Sequence, residues 1–251
     1  MKRNLFIISL CLINIMSFSC KKDNNNTNVI PLISTTLTYN NGKLLYKDTF
    51  VYNMDNKLSY YSYTYNNSFS NFDYHEQYNY VGNNLIICKK YMYNNLNLNI
   101  SIDSMTLNGN GFCILDRQNS GEGNGFSLTN YKYNSDGYRI EFDHSDSFFN
   151  PFVGTINTIK YIISGKNTII DTIKRNDNSI DIERYEYYTD KTNTIGNENN
   201  GKTFMGKQDI NLIKIYISNS DSVIYNYEFD KKGRVINIIN SNNENVIIKY
   251  L

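Results

Sequence analysis

Only two histidines occur in the chain, and each stands among carboxylates. His75 lies in Asp73-Tyr74-His75-Glu76 and His144 in Asp143-His144-Ser145-Asp146, the company that a metal ligand or a proton relay needs. Gln77 and Asn79 continue an alternating pattern around His75 and place it on a polar, solvated strand face. The two histidines can share a metal only if their strands meet. Asn176-Asp177-Asn178 with Asp181 and Glu183 has the oxygens of a calcium loop but not its sharp-turn glycine. Gly121-Glu122-Gly123-Asn124-Gly125 is glycine-rich enough to cradle a phosphate, yet neither Lys-Ser/Thr nor a helix N-terminus follows it. No nucleophile-elbow sequence supports Ser-His-Asp catalysis. These segments read as turns and loops. No catalytic residue, cofactor or metal is assigned.

Cys88 and Cys113 each follow a turn and so fall on the outgoing strands of consecutive hairpins. Two strand spacings separate them by about 9.5 Å, beyond the roughly 7 Å that a disulfide spans. They are expected to be reduced core residues. Tyrosine is the most abundant aromatic, at 23 residues. Tyr60-Tyr61-Ser62-Tyr63-Thr64-Tyr65 with Tyr74, Tyr78 and Tyr80 offers a platform on which a sugar or a protein could stack. The plainer expectation is that the rings pack on strand faces while the hydroxyls stay wet.

The elements that must carry these residues are strands. Tyr, Ile and Val suit half-buried pleated surfaces, the abundant Asn suits turns, and Ala, the best helix former, is absent. A unit recurs, in which a Tyr-rich strand meets an Asn, Asp, Gly or Lys turn and then an aliphatic strand. Examples are Tyr39-Asn40-Asn41-Gly42, Tyr52-Asn53-Met54-Asp55-Asn56, Tyr133-Asn134-Ser135-Asp136-Gly137 and Tyr227-Glu228-Phe229-Asp230-Lys231-Lys232-Gly233. First turn residues at 53, 81, 108, 134 and 163 give steps of 28, 27, 26 and 29, one hairpin plus its link. The interval from 163 to 230 holds two units and an insertion, with Thr192 to Gly201 as a loop and one short helix possible within Phe204 to Leu212. Leu96, Leu98, Ile100 and Ile102, like Val223, Tyr225, Tyr227 and Phe229, alternate with polar residues, so one face is apolar and the other wet. So many strands in one antiparallel hairpin meander cannot stay flat, and a strongly curved sheet, half-barrel or barrel is expected. The fold class is all-β, in a single domain over 35–251.

Met1-Lys2-Arg3-Asn4 and the apolar run from Leu5 to Phe18 form a secretory signal peptide, 1–19, with Ser19-Cys20 at its end. The run of about 14 residues is shorter than the roughly 20 that span a bilayer. Residues 20–34 are a polar, flexible tether. The net charge of +1 leaves no basic stripe for nucleic acid.

The N-terminal segment resembles bacterial lipoprotein signals, and Ser19-Cys20-Lys21-Lys22-Asp23 is similar to those of Bacteroidota envelope lipoproteins. That resemblance implies lipidation of Cys20 and anchoring in the outer membrane, on the periplasmic face or the cell surface. The Tyr-x-Tyr/Phe-Asp/Asn-x-x-Gly units at 130–142 and 225–238, with Gly201 to Leu212, resemble Tyr-Asp repeats and a β-rich lipoprotein domain of unknown function. It implies a porin-like or half-barrel fold. The expected function is a non-catalytic binding or structural module whose partner, besides the membrane, is a glycan, lipid or protein. The alternatives are a carrier sheltering a lipid on an apolar concave face and, last, a metal-dependent hydrolase. A membrane-integral barrel ranks low because Asn and charge occur on both strand faces.

Overall fold

The computed structural model describes residues 30–67, 70–94, 97–119, 125–146, 155–175, 177–219 and 221–251. The expected signal peptide at 1–19, Cys20, Leu96, Gly121 to Asn124 and Asn176 lie outside the described residues. The first eight strands are β1 (Ile33–Asn40), β2 (Lys43–Tyr52), β3 (Leu58–Asn67), β4 (Ser70–Val81), β5 (Leu85–Asn94), β6 (Asn97–Leu107), β7 (Cys113–Asn119) and β8 (Phe126–Tyr133). They are followed by β9 (Arg139–Asp146), β10 (Thr155–Ser164), β11 (Asn167–Lys174), β12 (Ile180–Thr192), β13 (Asn211–Ser218), β14 (Asp221–Phe229), β15 (Val235–Asn240) and β16 (Glu244–Tyr250). Each strand pairs antiparallel with its sequence neighbours, and β1 closes on β16, with Thr36 opposite Ile248. The result is a closed sixteen-stranded barrel, which leaves no free sheet edge at the seam.

The hydrogen bonding of the barrel starts at Pro31, inside the stretch expected to be tether. The Asn199 amide donates to the Pro31 carbonyl and the Leu251 N–H to that of Leu32.

The turns at 53, 108, 134 and 230 fall at one mouth of the barrel and share one construction. In each, the Asn or Asp side-chain oxygen accepts from the N–H groups two and four residues ahead. The fourth residue has positive φ, which Gly137 and Gly233 adopt without strain and Asn56 adopts at 59°. That explains how Asn56 stands where the other units have glycine. The Asn40-Asn41-Gly42 turn lies at the opposite mouth, out of phase with the rest.

Alternation runs opposite to a dry core. Along β12, Ile180, Ile182 and Arg184 are exposed while Asp181, Glu183 and Tyr185 are sheltered. Leu98, Ile100 and Ile102 point outward at 48, 42 and 51% exposure. The aliphatic face is therefore not the concave one, and an apolar cradle for a lipid is not what lines the barrel. A sixteen-stranded barrel is too wide for side chains to fill, so its interior can hold water and keeps polar groups. Among the described residues, dry packing forms two clusters, one of Leu58, Tyr78, Ile86, Cys88, Met105, Cys113 and Phe204, the other of Ile33, Leu212, Val235 and Ile248.

Candidate functional site

Residues 193–210, between β12 and β13, form a strap across the mouth where the chain enters and leaves the barrel. Backbone bonds moor it around the rim. Ile33 N–H donates to Asn199 O at 2.7 Å, Leu58 N–H to Gly201 O at 3.3 Å and Lys207 N–H to Gly137 O at 2.9 Å. Lys207 and Tyr138 make an isolated parallel bridge. Thr194 accepts from Val235 N–H at 3.0 Å and, through its carbonyl, from the Tyr250 hydroxyl at 3.3 Å. The expected short helix is reduced to one 3₁₀ turn, Thr203–Met205, which drives Phe204 (4% exposed) into the first apolar cluster. Gly201 permits the close approach at φ 71°, since a Cβ there would sit 2.6 Å from the Tyr52 ring.

Between the strap and β9–β12 lies a cavity of about 450 Å³, within the range of small-molecule sites. Its wall includes Arg139, Tyr161, Asp171, Tyr185, Lys207 and Asp209. The Asp171 Oδ2 accepts from the Tyr185 hydroxyl at 3.0 Å, whereas its buried Oδ1 has no hydrogen-bond partner. Burial, reinforced by Glu183 and Asp209, raises the Asp171 carboxyl to about 6 against the opposing pull of Tyr185 and Arg139. Burial likewise raises the Asp209 carboxyl, although the Thr168 N–H and the Tyr187 hydroxyl both donate to it. The Arg139 guanidinium lies 5.0 Å from the Tyr161 ring centre and 5.6 Å from that of Phe142, while its Nε is buried without a hydrogen bond.

The other half of the lumen carries a second polar group. Asp103 pairs with Lys90, Tyr74 and Tyr78 both donate to Glu76, and Gln118 donates to Asp116 at 2.8 Å. Burial opposes the Lys90 charge, but the Asp103 carboxylate outweighs it and the net shift is upward. The Asp103 and Asp116 carboxyls are raised by burial. An aliphatic-only reading of these strands does not find them, because each is a polar residue flanked by at least one other polar residue.

The two histidines do not meet. His75 on β4 is half-buried, with its Nδ1 2.6 Å from the Tyr60 hydroxyl, and so is less solvated than expected. His144 on β9 has its Nδ1 2.8 Å from Thr129 Oγ1, and β4 and β9 are not neighbours. Among the described residues, no group of three or more His, Cys, Asp or Glu is placed to hold a metal ion. Asp177 caps the Ser179 N–H, Asp181 pairs with Arg175, and Glu183 accepts from Tyr185 and Tyr216. Cys88 and Cys113 are free and buried on β5 and β7, two strands apart, and burial raises both thiols, that of Cys113 to about 12.

The tyrosine hydroxyls depart from expectation, for many are not wet. Near the strapped mouth, an inward tyrosine of an even strand donates to a carbonyl near the start of the preceding odd strand. The pairs are Tyr52 to Ile33, Tyr80 to Leu58, Tyr133 to Cys113, Tyr187 to Thr168, Tyr227 to Ile213 and Tyr250 to Val235. The recurrence of tyrosine just before the turns is the sequence signal for this clasp. The aromatic run on β3 divides between faces, Tyr61 packing with Phe50 inside and Tyr60 with His75 outside.

Fold and site together define a closed antiparallel barrel with a polar lumen and one strapped mouth. Among solved structures, the chain is similar to a porin-like protein from Bacteroides uniformis, with a TM-score of 0.63 over 87% of this chain and 98% of that one. At 12% identity the likeness is one of fold. No family model and no curated protein matches the sequence.

Proposed function

We propose that this chain is a non-catalytic, lipid-anchored protein of the outer membrane that binds a polar ligand in its barrel lumen. The observation that carries the proposal is the inward orientation of Tyr, Asp, Glu and Arg while Ile and Leu face out. Apolar cargo would strip water from those charges without pairing them, at a cost of several kcal/mol per ion by general estimates. The porin-like fold is consistent with an envelope location. Lys47, Arg117, Lys160, Arg184 and Glu186 are exposed within strands and interrupt the apolar band that a membrane-embedded barrel presents to lipid. These charges favour a barrel tethered beside the bilayer through acylated Cys20.

The chain enters β1 at the strapped mouth, so a tether from Cys20 to Ile30 attaches the anchor at that end. Membrane fractionation tests the anchor: Cys20→Ser is expected to release the protein into the soluble fraction, and unchanged membrane association would overturn lipidation. Native mass spectrometry of protein purified from its own host tests the lumen. A co-purifying polar molecule is expected, whereas a retained acyl lipid would restore the carrier alternative.

A further inference from the structure

We propose that the strapped cavity is a subsite for one ring of a neutral sugar, with Asp171 accepting from a ring hydroxyl and Arg139 donating to the same or an adjacent hydroxyl. The inference rests on the lumen being the binding compartment and names the ligand class it takes. Two observations point to a missing partner. Asp171 is 8% exposed and its Oδ1 has no hydrogen bond, although Tyr185 holds Oδ2. Arg139 lines the same cavity, held against Tyr161 and Phe142, with a buried Nε that also lacks a hydrogen bond. Buried polar atoms are normally satisfied, and an unpaired acceptor and an unpaired donor on two residues that line one cavity suit a ligand that supplies both complements once the side chains turn toward it.

Three ligand classes can be compared on these terms. An apolar molecule satisfies neither atom. A zwitterion such as an amino acid offers an ammonium to Asp171 and a carboxylate to Arg139. That carboxylate would meet Lys202 and Lys207 as well as the Asp171 and Asp209 side chains, so charge alone admits it, and what a small zwitterion lacks is a ring face for the tyrosine walls. A sugar hydroxyl donates and accepts at once, brings no charge, and is bound to a ring whose C–H faces suit tyrosine walls. Tyr138, Tyr161 and Tyr185 supply those walls, and Asn197 and Gln208 supply further amides. A volume of about 450 Å³ leaves room for more than a lone water or ion.

The test uses the full chain with Cys20→Ser, titrated by calorimetry and by saturation-transfer NMR. The probes are neutral hexoses, N-acetylhexosamines and their disaccharides, with glycine and glycylglycine as zwitterions and oleate as the apolar probe. At least one neutral saccharide is expected to bind. Asp171→Asn is expected to weaken it about tenfold or more, as loss of a charge-assisted hydrogen bond does. Lys160→Gln, on the outer face, is expected to leave the affinity unchanged. Arg139→Gln is a second site variant, its tyrosine near-ultraviolet dichroism checked against the parent.

A zwitterion that binds and loses affinity in Asp171→Asn overturns the sugar assignment while leaving the lumen reading intact. A saccharide indifferent to both Asp171→Asn and Arg139→Gln overturns the site. Oleate binding without any saccharide overturns both the assignment and the polar-lumen reading. No binding by any saccharide overturns the assignment alone.

Discussion

Replacing Asp171 by Asn isolates the cost of keeping a charged carboxylate inside the lumen. Burial lifts this carboxyl from 3.8 to about 6. A group that holds its proton more tightly folded than unfolded destabilises the fold above its folded value, and the penalty disappears as pH falls toward the unfolded value. For Asp171 the cost is complete near pH 7, shrinks between about pH 6 and pH 4, and is gone below. Its size at neutral pH is about 3 kcal/mol, from 1.36 kcal/mol per pKa unit. Asn keeps the shape and an acceptor for the Tyr185 hydroxyl but carries no charge.

Guanidinium unfolding of both proteins between pH 4 and pH 8 measures the effect. The variant is expected to match the parent near pH 4 and to exceed it by about 2–3 kcal/mol at pH 7, or roughly 5–10 °C in Tm. Titrating groups remote from Asp171 are common to the two proteins and cancel in the difference, while Glu183, Asp209 and Arg139, which interact with it, respond to its loss. A difference that does not vary with pH, or a variant less stable at pH 7, would show that buried charge is not the cause. A stabilising substitution at the proposed subsite is also what a trade of stability for function predicts.

Three further outcomes follow from the strap and the tyrosine clasp. Phe204→Ala removes the wedge from the first apolar cluster and is expected to cost about 3–5 kcal/mol, read by urea unfolding with faster proteolysis within 193–210. Gly201→Ala sets a Cβ against Tyr52 at positive φ and is expected to lower Tm by several degrees, as a strained substitution of about 1–3 kcal/mol does. An unchanged Tm would mean that the strap does not need that approach. Tyr133→Phe deletes the hydroxyl that donates to the Cys113 carbonyl at 2.8 Å. About 1 kcal/mol of destabilisation by chemical denaturation is expected, where a wet hydroxyl would give none.

Much of the fold is legible in the residues. The Asn/Asp-x-x-Gly turns announce themselves because few side chains tolerate positive φ, and the even steps between the turns at 53, 81, 108, 134 and 163 place five links at one mouth. The separation of Cys88 from Cys113 follows from strand counting alone. The long interval between 163 and 230 marks the insertion that becomes the strap. The site is less legible. Asp171 sits in Thr168-Ile169-Ile170-Asp171-Thr172-Ile173, where it reads as an ordinary polar position on a strand. Arg139 follows Tyr138 after a turn and reads as a solvated arginine. Their meeting depends on how two strand pairings, β9–β10 and β10–β11, and a distant loop close over one another.

What the chain determines by itself is that it has two-faced strands, where they reverse, and how many residues separate the reversals, because φ/ψ preference and side-chain alternation are local. What only the tertiary structure decides is which face turns inward, that β1 meets β16, and that residues 193–210 cap the mouth at which the chain enters. A period of two distinguishes two faces without saying which is concave. The curvature that chooses between them comes from the cooperative twist and closure of all sixteen strands. It is this closure that makes the concave face a polar chamber and not the apolar cradle that the lipid-carrier alternative would need.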